Sequence, residues 1–139
     1  MTVSYLLDTN VVSEPLRPQP NKRVLQHLQR NQDKVAIASP VWHELWFGCR
    51  RLPDSARRSA IEEYLQTIVG VSFPILPYDE YAAEWHASER ARLSNKGKTP
   101  AFIDGQIASV AAVNNLVLIT FNTADYNNFK GVSIQSWRS

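Results

Sequence analysis

Short apolar runs alternate with helical segments along this chain, and this alternation constrains the fold more than any other feature of the sequence. Residues 116–121 (LVLITF) are apolar at nearly every position, which is typical of a strand buried on both faces of a parallel sheet. Four further runs predict strands, at residues 3–7, 35–39, 71–76 and 132–135. Pro74 lies in the third of these runs, so we expect that strand at an edge of the sheet, and the short last strand is expected to add an edge as well.

Helical periodicity fills the intervals between the predicted strands. The predicted helices cover residues 21–31, 55–69, 79–96 and 99–114, and a further helix follows the second strand. We expect Ser39 to cap that helix with Pro40 at its first position, and Thr99-Pro100 to open the last one. Strands that alternate with helices favour an α/β fold with a mainly parallel sheet, and such sheets bind ligands beyond the carboxyl ends of their strands.

Size and composition limit the class of protein. A chain of 139 residues, 44% of them hydrophobic, is long enough to form one domain over residues 1–139 with a core of its own. The single cysteine, Cys49, excludes an internal disulfide framework and fits a reducing, cytoplasmic location. Neither a signal-peptide pattern nor an apolar run of about 20 residues is found, so we expect no secretion and no membrane span. The net charge of +2 neither requires nor excludes nucleic acid.

Four acidic residues occupy positions that could bring them together. Asp8 directly follows the first predicted strand, and Asp125 lies just beyond residues 116–121. Glu44 lies inside the apolar helix SPVWHELWFG, and Asp104 falls on a core-facing helical stripe. Carboxylates are rarely buried unless they are paired or bind a metal. All four can therefore converge at the carboxyl-terminal edge of the sheet.

Each of these acids also has an ordinary structural interpretation, and the sequence leaves these alternatives open. They are Asp8 as a helix N-cap, Asp125 as a turn residue, Asp104 as a helix-dipole stabiliser, and Glu44 as the partner of Arg50 or Arg51.

Convergence of the acids would indicate the class of cofactor. Two carboxylates about 4 Å apart repel each other by roughly 4 kcal/mol at an effective dielectric constant of 20. A divalent cation relieves this repulsion, and an all-oxygen ligand set favours Mg²⁺ or Mn²⁺ over Zn²⁺. The three histidines (His27, His43 and His86) show no metal-binding spacing and are interpreted as structural or surface residues. A carboxylate-held Mg²⁺ is suited to the hydrolysis of phosphate esters.

Two other enzyme classes fit the sequence poorly. A haloacid-dehalogenase-like phosphatase also places Asp after its first strand, but it needs a second Asp where this chain has Asn10. A dinucleotide-binding domain or a P-loop protein needs a glycine-rich turn after a strand, and no such turn follows the first strand.

Three segments together resemble the PIN-domain ribonucleases, and among them the VapC-type toxins of toxin–antitoxin pairs. LLDTNVVSE resembles the opening motif, SPVWHELWFG the second motif, and PAFIDGQIASVAAVNNLVLITFNTADYNNF the third and fourth motifs in order and spacing. The resemblance covers essentially the whole chain. It implies a PIN-like three-layer sandwich, in which helices flank a mainly parallel central sheet of four to five strands.

The resemblance also implies roles for individual residues. Asp8, Glu44 and Asp104 would be the metal-site carboxylates, and Asp125 would be a fourth catalytic acid. The polar residues expected to orient these carboxylates are Asn10, Thr120 and Asn122, and Asn122 could also share the role of Asp125. The chain departs from the family at Phe121, where many relatives carry an arginine that could contact phosphate.

The function implied by the resemblance is that of a Mg²⁺-dependent RNA endonuclease, with Mn²⁺ as a substitute ion, that acts in the cytoplasm as a growth-inhibiting toxin. Its expected partners are an RNA substrate, a second copy in a homodimer, and a small DNA-binding antitoxin whose C-terminal segment inhibits the site. The alternative from another class is a non-catalytic PIN-like module that binds RNA or protein.

An RNA-binding surface should contain basic residues, because the backbone is a polyanion. The candidates on and after the long helix are Arg90, Arg92, Lys96 and Lys98, and further candidates near the first helix are Arg17, Lys22 and Arg23. A solvated helix face is the ordinary alternative for each of them.

Overall fold

The computed structural model describes residues 2–138, in which five short parallel strands form one sheet. The strands are β1 (Tyr5–Leu7), β2 (Val35–Ala38), β3 (Ile75–Leu76), β4 (Val117–Ile119) and β5 (Ser133–Gln135). Their order across the sheet is β3-β2-β1-β4-β5, with every neighbouring pair parallel. The sequence prediction of an α/β fold with a parallel sheet is confirmed.

Helices connect these strands. They are α1 (Thr9–Ser13), α2 (Lys22–Arg30), α3 (Ser39–Arg50), α4 (Ala56–Tyr64), α5 (Gly70–Ser72), α6 (Glu80–Ser94), α7 (Phe102–Val113) and α8 (Thr123–Tyr126). A 3₁₀ turn (Glu14–Leu16) follows α1, and a π-helical turn (Leu65–Val69) joins α4 to α5. No helix within residues 2–138 is long and apolar enough to cross a membrane.

The core lies where the central strands meet the helices. β2 is buried along its whole length, as expected for an inner strand of a parallel sheet covered on both faces. The central helix α7 buries its apolar stripe, including Ile107, Ala108 and Ala111, against this core. Because α7 is fixed by that packing, the acidic residue in its first turn, Asp104, has a defined position relative to β1 and β4.

β3 and β5 lie at the two edges of the sheet. Both positions were predicted, the first from Pro74 and the second from the shortness of the last strand. The third strand is much shorter than the run of residues 71–76, because Val71 and Ser72 belong to α5. Pro74 has no N–H to donate, and its carbonyl instead accepts a hydrogen bond from the N–H of Ile37 at 3.0 Å.

Two predicted helix starts differ from the structure by one to three residues. α3 begins at Ser39 itself with Ala38 at the N-cap, because the Ser39 hydroxyl accepts a hydrogen bond from the N–H of Tyr78 at 3.2 Å instead of capping the helix. α7 begins at Phe102, and the Thr99 hydroxyl contacts the hydroxyl of Ser94 at 2.9 Å. In both cases the side chain expected at the helix start contacts a residue outside that helix.

Candidate active site

Asp8 ends β1 at the centre of the sheet, and both of its carboxylate oxygens have hydrogen-bond donors. Its Oδ1 accepts from the N–H of Thr9 at 2.8 Å, so the interpretation of Asp8 as the N-cap of α1 is correct. Its Oδ2 accepts from the hydroxyl of Thr120 at 2.8 Å, across from the end of β4. The side chain is 7% exposed, and burial raises the pKa of Asp8 despite these two donors. Besides capping α1, Asp8 therefore links the end of β1 to the end of β4 through Thr120.

Thr120 links Asp8 to the segment after β4. Its Oγ1 donates to Asp8 and accepts from the N–H of Asn122 at 3.0 Å. Asn122 is exposed and lies at the N-cap of α8 without a capping hydrogen bond from its side chain. Thr120 thus fixes the orientation of the Asp8 carboxylate, the kind of contact expected of a residue that supports a metal ligand.

Asp104 and Asp125 come together beside Asp8. The hydroxyl of Tyr126 donates to Oδ1 of Asp104 at 3.4 Å. Burial raises the pKa of Asp104, and the negative charges of Asp125 and Asp8 raise it further. Burial and the same three carboxylates also raise the pKa of Tyr126, which keeps its hydroxyl protonated and able to donate. The three aspartates predicted from separate motifs therefore form one electrostatically coupled group.

Glu44 lines a different cavity from the one that Asp104 and Asp125 share, so its expected convergence with them is not seen there. It is half-buried in α3 and lines a cavity of about 720 Å³ that also contacts Thr9, the neighbour of Asp8. The interpretation of Glu44 as an arginine partner is wrong within residues 2–138: the guanidinium of Arg50 lies over Trp46 and that of Arg51 over Phe47. Glu44 lines a cavity to which Arg17 and Arg57 also contribute, and it forms no ion pair in the described part of the chain.

Within residues 2–138, the three aspartates form no ion pair with a basic side chain. The ion pairs in the part of the chain that the structure describes are Arg17–Glu14, Arg58–Asp54, Arg58–Glu62 and Arg92–Glu89. None of them involves Asp8, Asp104 or Asp125, so no ion pair in this part of the chain neutralises the aspartate group. Buried, uncompensated carboxylates destabilise a fold, and such groups are characteristic of functional sites.

The donor chemistry fits a hard divalent cation held by few protein ligands. Among residues 2–138, no three Asp, Glu, His or Cys side chains form a ready-made metal cage. Mg²⁺ does not require one, because it commonly binds through one or two carboxylates and keeps several waters. The histidines are engaged elsewhere: His27 stacks on Trp137, His43 on Phe47, and His86 is buried against Tyr78. A zinc-type site is therefore not supported by these side chains.

The predicted RNA-binding residues divide into different environments. Lys98 lines a cavity of about 500 Å³ together with Asp104 and Asp125. Arg92 is bonded twice to Glu89 and donates to the carbonyl of Asn128, all at 2.8 Å. Arg92 is thereby held in a structural contact, whereas Lys98 lies beside the carboxylates.

The other two candidates of this set lie apart from the carboxylates. Arg90 lies over the ring of Phe102, with its Cζ 5.3 Å from the ring centroid. Lys96 is exposed at the end of α6. Neither lines the cavity that contains Asp104.

Two charged residues near the site were not identified from the sequence. Glu14 is 1% exposed, accepts from the N–H of Asn21 at 2.8 Å and pairs with Arg17 at 3.3 Å. Arg138 lies over the ring of Phe121. The spacing of Glu14 and Arg17 by three residues was a signal that could have revealed the first contact, but no local pattern links Arg138 to Phe121.

Comparison with known proteins defines the family. The PIN domain model matches residues 5–131, so the chain belongs to the PIN-domain family, as the motifs predicted. Toxin FitB of Neisseria gonorrhoeae is 36% identical to it over 124 residues, which cover 87% of this chain and 89% of that protein. The tRNA(fMet)-specific endonuclease VapC of Shigella flexneri is 27% identical over 135 residues, covering 97% and 98% of the two chains.

The fold is also that of solved PIN proteins. The structure of FitAB bound to the IR36 DNA fragment matches with a TM-score of 0.89 and 31% identity, covering 97% of this chain and 96% of that one. Other solved structures of similar fold come from VapBC toxin–antitoxin systems. The PIN-like fold expected from the sequence is confirmed.

Proposed function

We propose that this PIN-domain chain is a Mg²⁺-dependent RNA endonuclease and the toxin of a toxin–antitoxin pair. The observation that carries the proposal is the proximity of Asp8, Asp104 and Asp125: the charges of Asp125 and Asp8 raise the pKa of Asp104, and no ion pair within residues 2–138 involves any of the three. Relatives with the names toxin and endonuclease support the assignment of this group to RNA cleavage.

Asp8 and Asp104 are the residues that would hold the cation, with Mn²⁺ as a substitute. When bound, Mg²⁺ would stabilise charge on the phosphate and activate a water for in-line displacement. The protein itself orients the two carboxylates. Thr120 and the N–H of Thr9 keep the Asp8 carboxylate in one orientation, and the Tyr126 hydroxyl orients Asp104. These fixed donors reduce the reorganisation needed before reaction.

The other acids and Lys98 would act around this pair. Asp125 and Glu44, which line different cavities, would complete the site or orient the attacking water by accepting hydrogen bonds from it. The Lys98 ammonium shares a cavity with Asp104 and Asp125, where it could hold the RNA backbone near them. Asn10, exposed in the first turn of α1, would orient the same group.

The proposed partners follow from the same comparisons. An antitoxin, a small DNA-binding protein with an inhibitory C-terminal segment, would cover the acidic site, and the chain would form a homodimer. Similar solved structures of FitAB and VapBC complexes support the antitoxin assignment. The cavity beside Glu44, which is lined by Leu16, Leu45 and Ile61 as well as by Arg17, offers an apolar surface on which such a segment could lie.

RNA cleavage by the purified chain tests the proposal. Wild-type protein is expected to cut single-stranded RNA with Mg²⁺ and to stop in EDTA, and Asp104→Asn is expected to lose activity by at least about 100-fold. The matched control is Asp33→Asn, since Asp33 is exposed and precedes β2 at the opposite edge of the sheet. Equal Mg²⁺-dependent cleavage by both variants would show that Asp104 is not part of the catalytic site.

A further inference from the structure

We propose that Arg138, held on the face of Phe121, forms with Arg17 a subsite for a backbone phosphate of the RNA substrate beside the aspartate group. This inference rests on the proposed function, because it assigns a substrate contact for the same reaction. It concerns residues that no motif connects, since Arg138 belongs to the segment after β5 and Phe121 to the segment after β4.

The position of Arg138 is fixed by its neighbours. Its Cζ lies 4.1 Å from the centroid of the Phe121 ring, within the range of a cation–π contact. The preceding Trp137 is 2% exposed and packs between Tyr5 and His27, with ring centroids 5.3 and 5.0 Å away. The N–H of Arg138 donates to the hydroxyl of Ser136 at 3.2 Å. A buried tryptophan thus anchors the tail and places the guanidinium over Phe121.

Arg138 lines a polar cavity that hydrogen bonds connect to Asp8. This cavity, of about 260 Å³, is lined by Arg138, Arg17, Asn10 and Asn122 among others. The N–H of Asn122 bonds Thr120, whose hydroxyl bonds Asp8, so two consecutive hydrogen bonds join the cavity wall to the carboxylate. Asn10 lies in α1, two residues after Asp8. A group bound in this cavity would therefore lie beside the proposed reaction centre.

The charges in the cavity favour an anion. Arg17 and Arg138 are positive, and Glu14, the one acidic residue in the wall, pairs with Arg17 at 3.3 Å and accepts from the N–H of Asn21. No carboxylate within residues 2–138 pairs with Arg138. A guanidinium stacked by its face keeps its N–H edge available, and that edge matches the oxygens of a phosphate.

The negative charge of the aspartate group explains why a basic side chain is needed in this cavity. Asp8, Asp104 and Asp125 repel a polyanion, so RNA requires positive charge close to them in order to approach. Phe121 cannot contact phosphate itself, but it supplies the aromatic surface on which Arg138 lies. The chain therefore brings a guanidinium to this position from its C-terminal segment.

Salt-dependent RNA binding tests the subsite. Affinity for a short single-stranded RNA would be measured in EDTA, where cleavage is expected to stop, over a range of NaCl concentrations. We expect Arg138→Ala to weaken binding several-fold and to reduce the slope of log K against log salt by about 0.7, the value for one phosphate contact on a single strand. Since Arg138 is exposed, its removal should leave the melting temperature unchanged.

The matched control is Arg51→Ala. Arg51 also lies over a phenylalanine, Phe47, with its Cζ 5.4 Å from the ring centroid, but it lines none of the cavities beside the aspartates. Its loss removes the same charge and the same kind of contact and should leave the slope unchanged. Phe121→Arg in the Arg138→Ala protein returns a guanidinium to the cavity and should restore the slope.

The outcomes separate this inference from the proposed function. If wild-type protein binds and cleaves RNA while Arg138→Ala and Arg51→Ala bind with the same slope as wild type, the subsite is wrong and the nuclease assignment stands. If wild-type protein neither binds nor cleaves RNA, both fail together. A reduced slope in Arg138→Ala alone, recovered by Phe121→Arg, supports the subsite.

Discussion

Asp8 shows how one side chain can serve the fold and the site at once. Its Oδ1 caps α1, and its Oδ2 accepts from Thr120, so both oxygens are fixed by the protein. Its pKa is nevertheless raised by burial, and that of Asp104 is raised by burial and by the charges of Asp125 and Asp8. The folded protein therefore holds ionised carboxylates at an energetic disadvantage that a bound cation would remove.

This disadvantage predicts that Asp104→Asn stabilises the metal-free protein. A carboxyl whose pKa is raised on folding contributes stability below its unfolded pKa, and that contribution is lost as the pH rises through the folded pKa. At pH 7 in EDTA, Asp104→Asn should thus increase the free energy of unfolding, by an amount that the partial exposure of the side chain keeps small. At about pH 3, below the unfolded pKa, the gain should vanish.

Urea unfolding at the two pH values measures this difference, with Asp33→Asn as the control. A loss of stability in Asp104→Asn at pH 7 would contradict the repulsion inferred among the aspartates.

At the residue scale, the acidic residues of the proposed site were easier to predict from the sequence than its basic residues. Asp8, Asp104 and Asp125 were found because each is an acidic residue beside or within an apolar segment. They lie at a strand end, in an apolar helical stripe and after a buried strand. Arg138 was missed because its contact with Phe121 joins two separate segments, and its position depends on the burial of Trp137. Contacts of that kind follow from packing, which periodicity does not encode.

At the scale of elements, the packing of α6 on α7 depends on a glycine. The imidazole of His86 in α6 lies against Gly105 in α7, where an added Cβ would clash with the ring. The same ring bonds the Tyr78 hydroxyl at 2.8 Å through Nδ1, and burial lowers the pKa of His86. Gly105 follows Asp104 directly, so the close approach of the two helices also sets the position of a carboxylate of the proposed site.

We therefore expect Gly105→Ala to destabilise the protein by about 1–3 kcal/mol, the usual effect of overfilling a packed interface. Gly48 provides the control, because it lies inside α3 and a Cβ there would meet nothing within 4 Å. Gly48→Ala should stabilise by about 0.5–1 kcal/mol through the lower backbone entropy of alanine. Denaturant unfolding of both variants measures the contrast, and equal effects would refute the packing argument.

Elements were predicted well where burial dictated them and less well where tertiary contacts did. The apolar runs became β1, β2 and β4, and Pro74 marked an edge strand, because the lack of an N–H is a local property. The starts of α3 and α7 were misplaced because Ser39 and Thr99 bond to partners outside the helices they precede. A capping signal in sequence cannot show that its side chain is already engaged.

At the scale of the whole molecule, the strand order brings the site together. β1 lies between β2 and β4, so the residues after β1 and β4 meet at the middle of one sheet edge. The sequence indicated parallel strands and hence a shared edge, but it could not give the order β3-β2-β1-β4-β5, which depends on long-range pairing. The acids from distant motifs are neighbours because of that order, which no single motif contains.

The most direct test of this account is calorimetric titration of the purified chain with Mn²⁺, followed by thermal melting in the same buffer. Wild type and Asp33→Asn should bind the ion, and their melting temperatures should rise with its concentration because the ion binds the folded state. Asp104→Asn should lose most of this binding and of the shift. Failure of the wild type to bind Mn²⁺, as expected for a non-catalytic binding module, or equal binding by Asp104→Asn would contradict the aspartate group as a metal site.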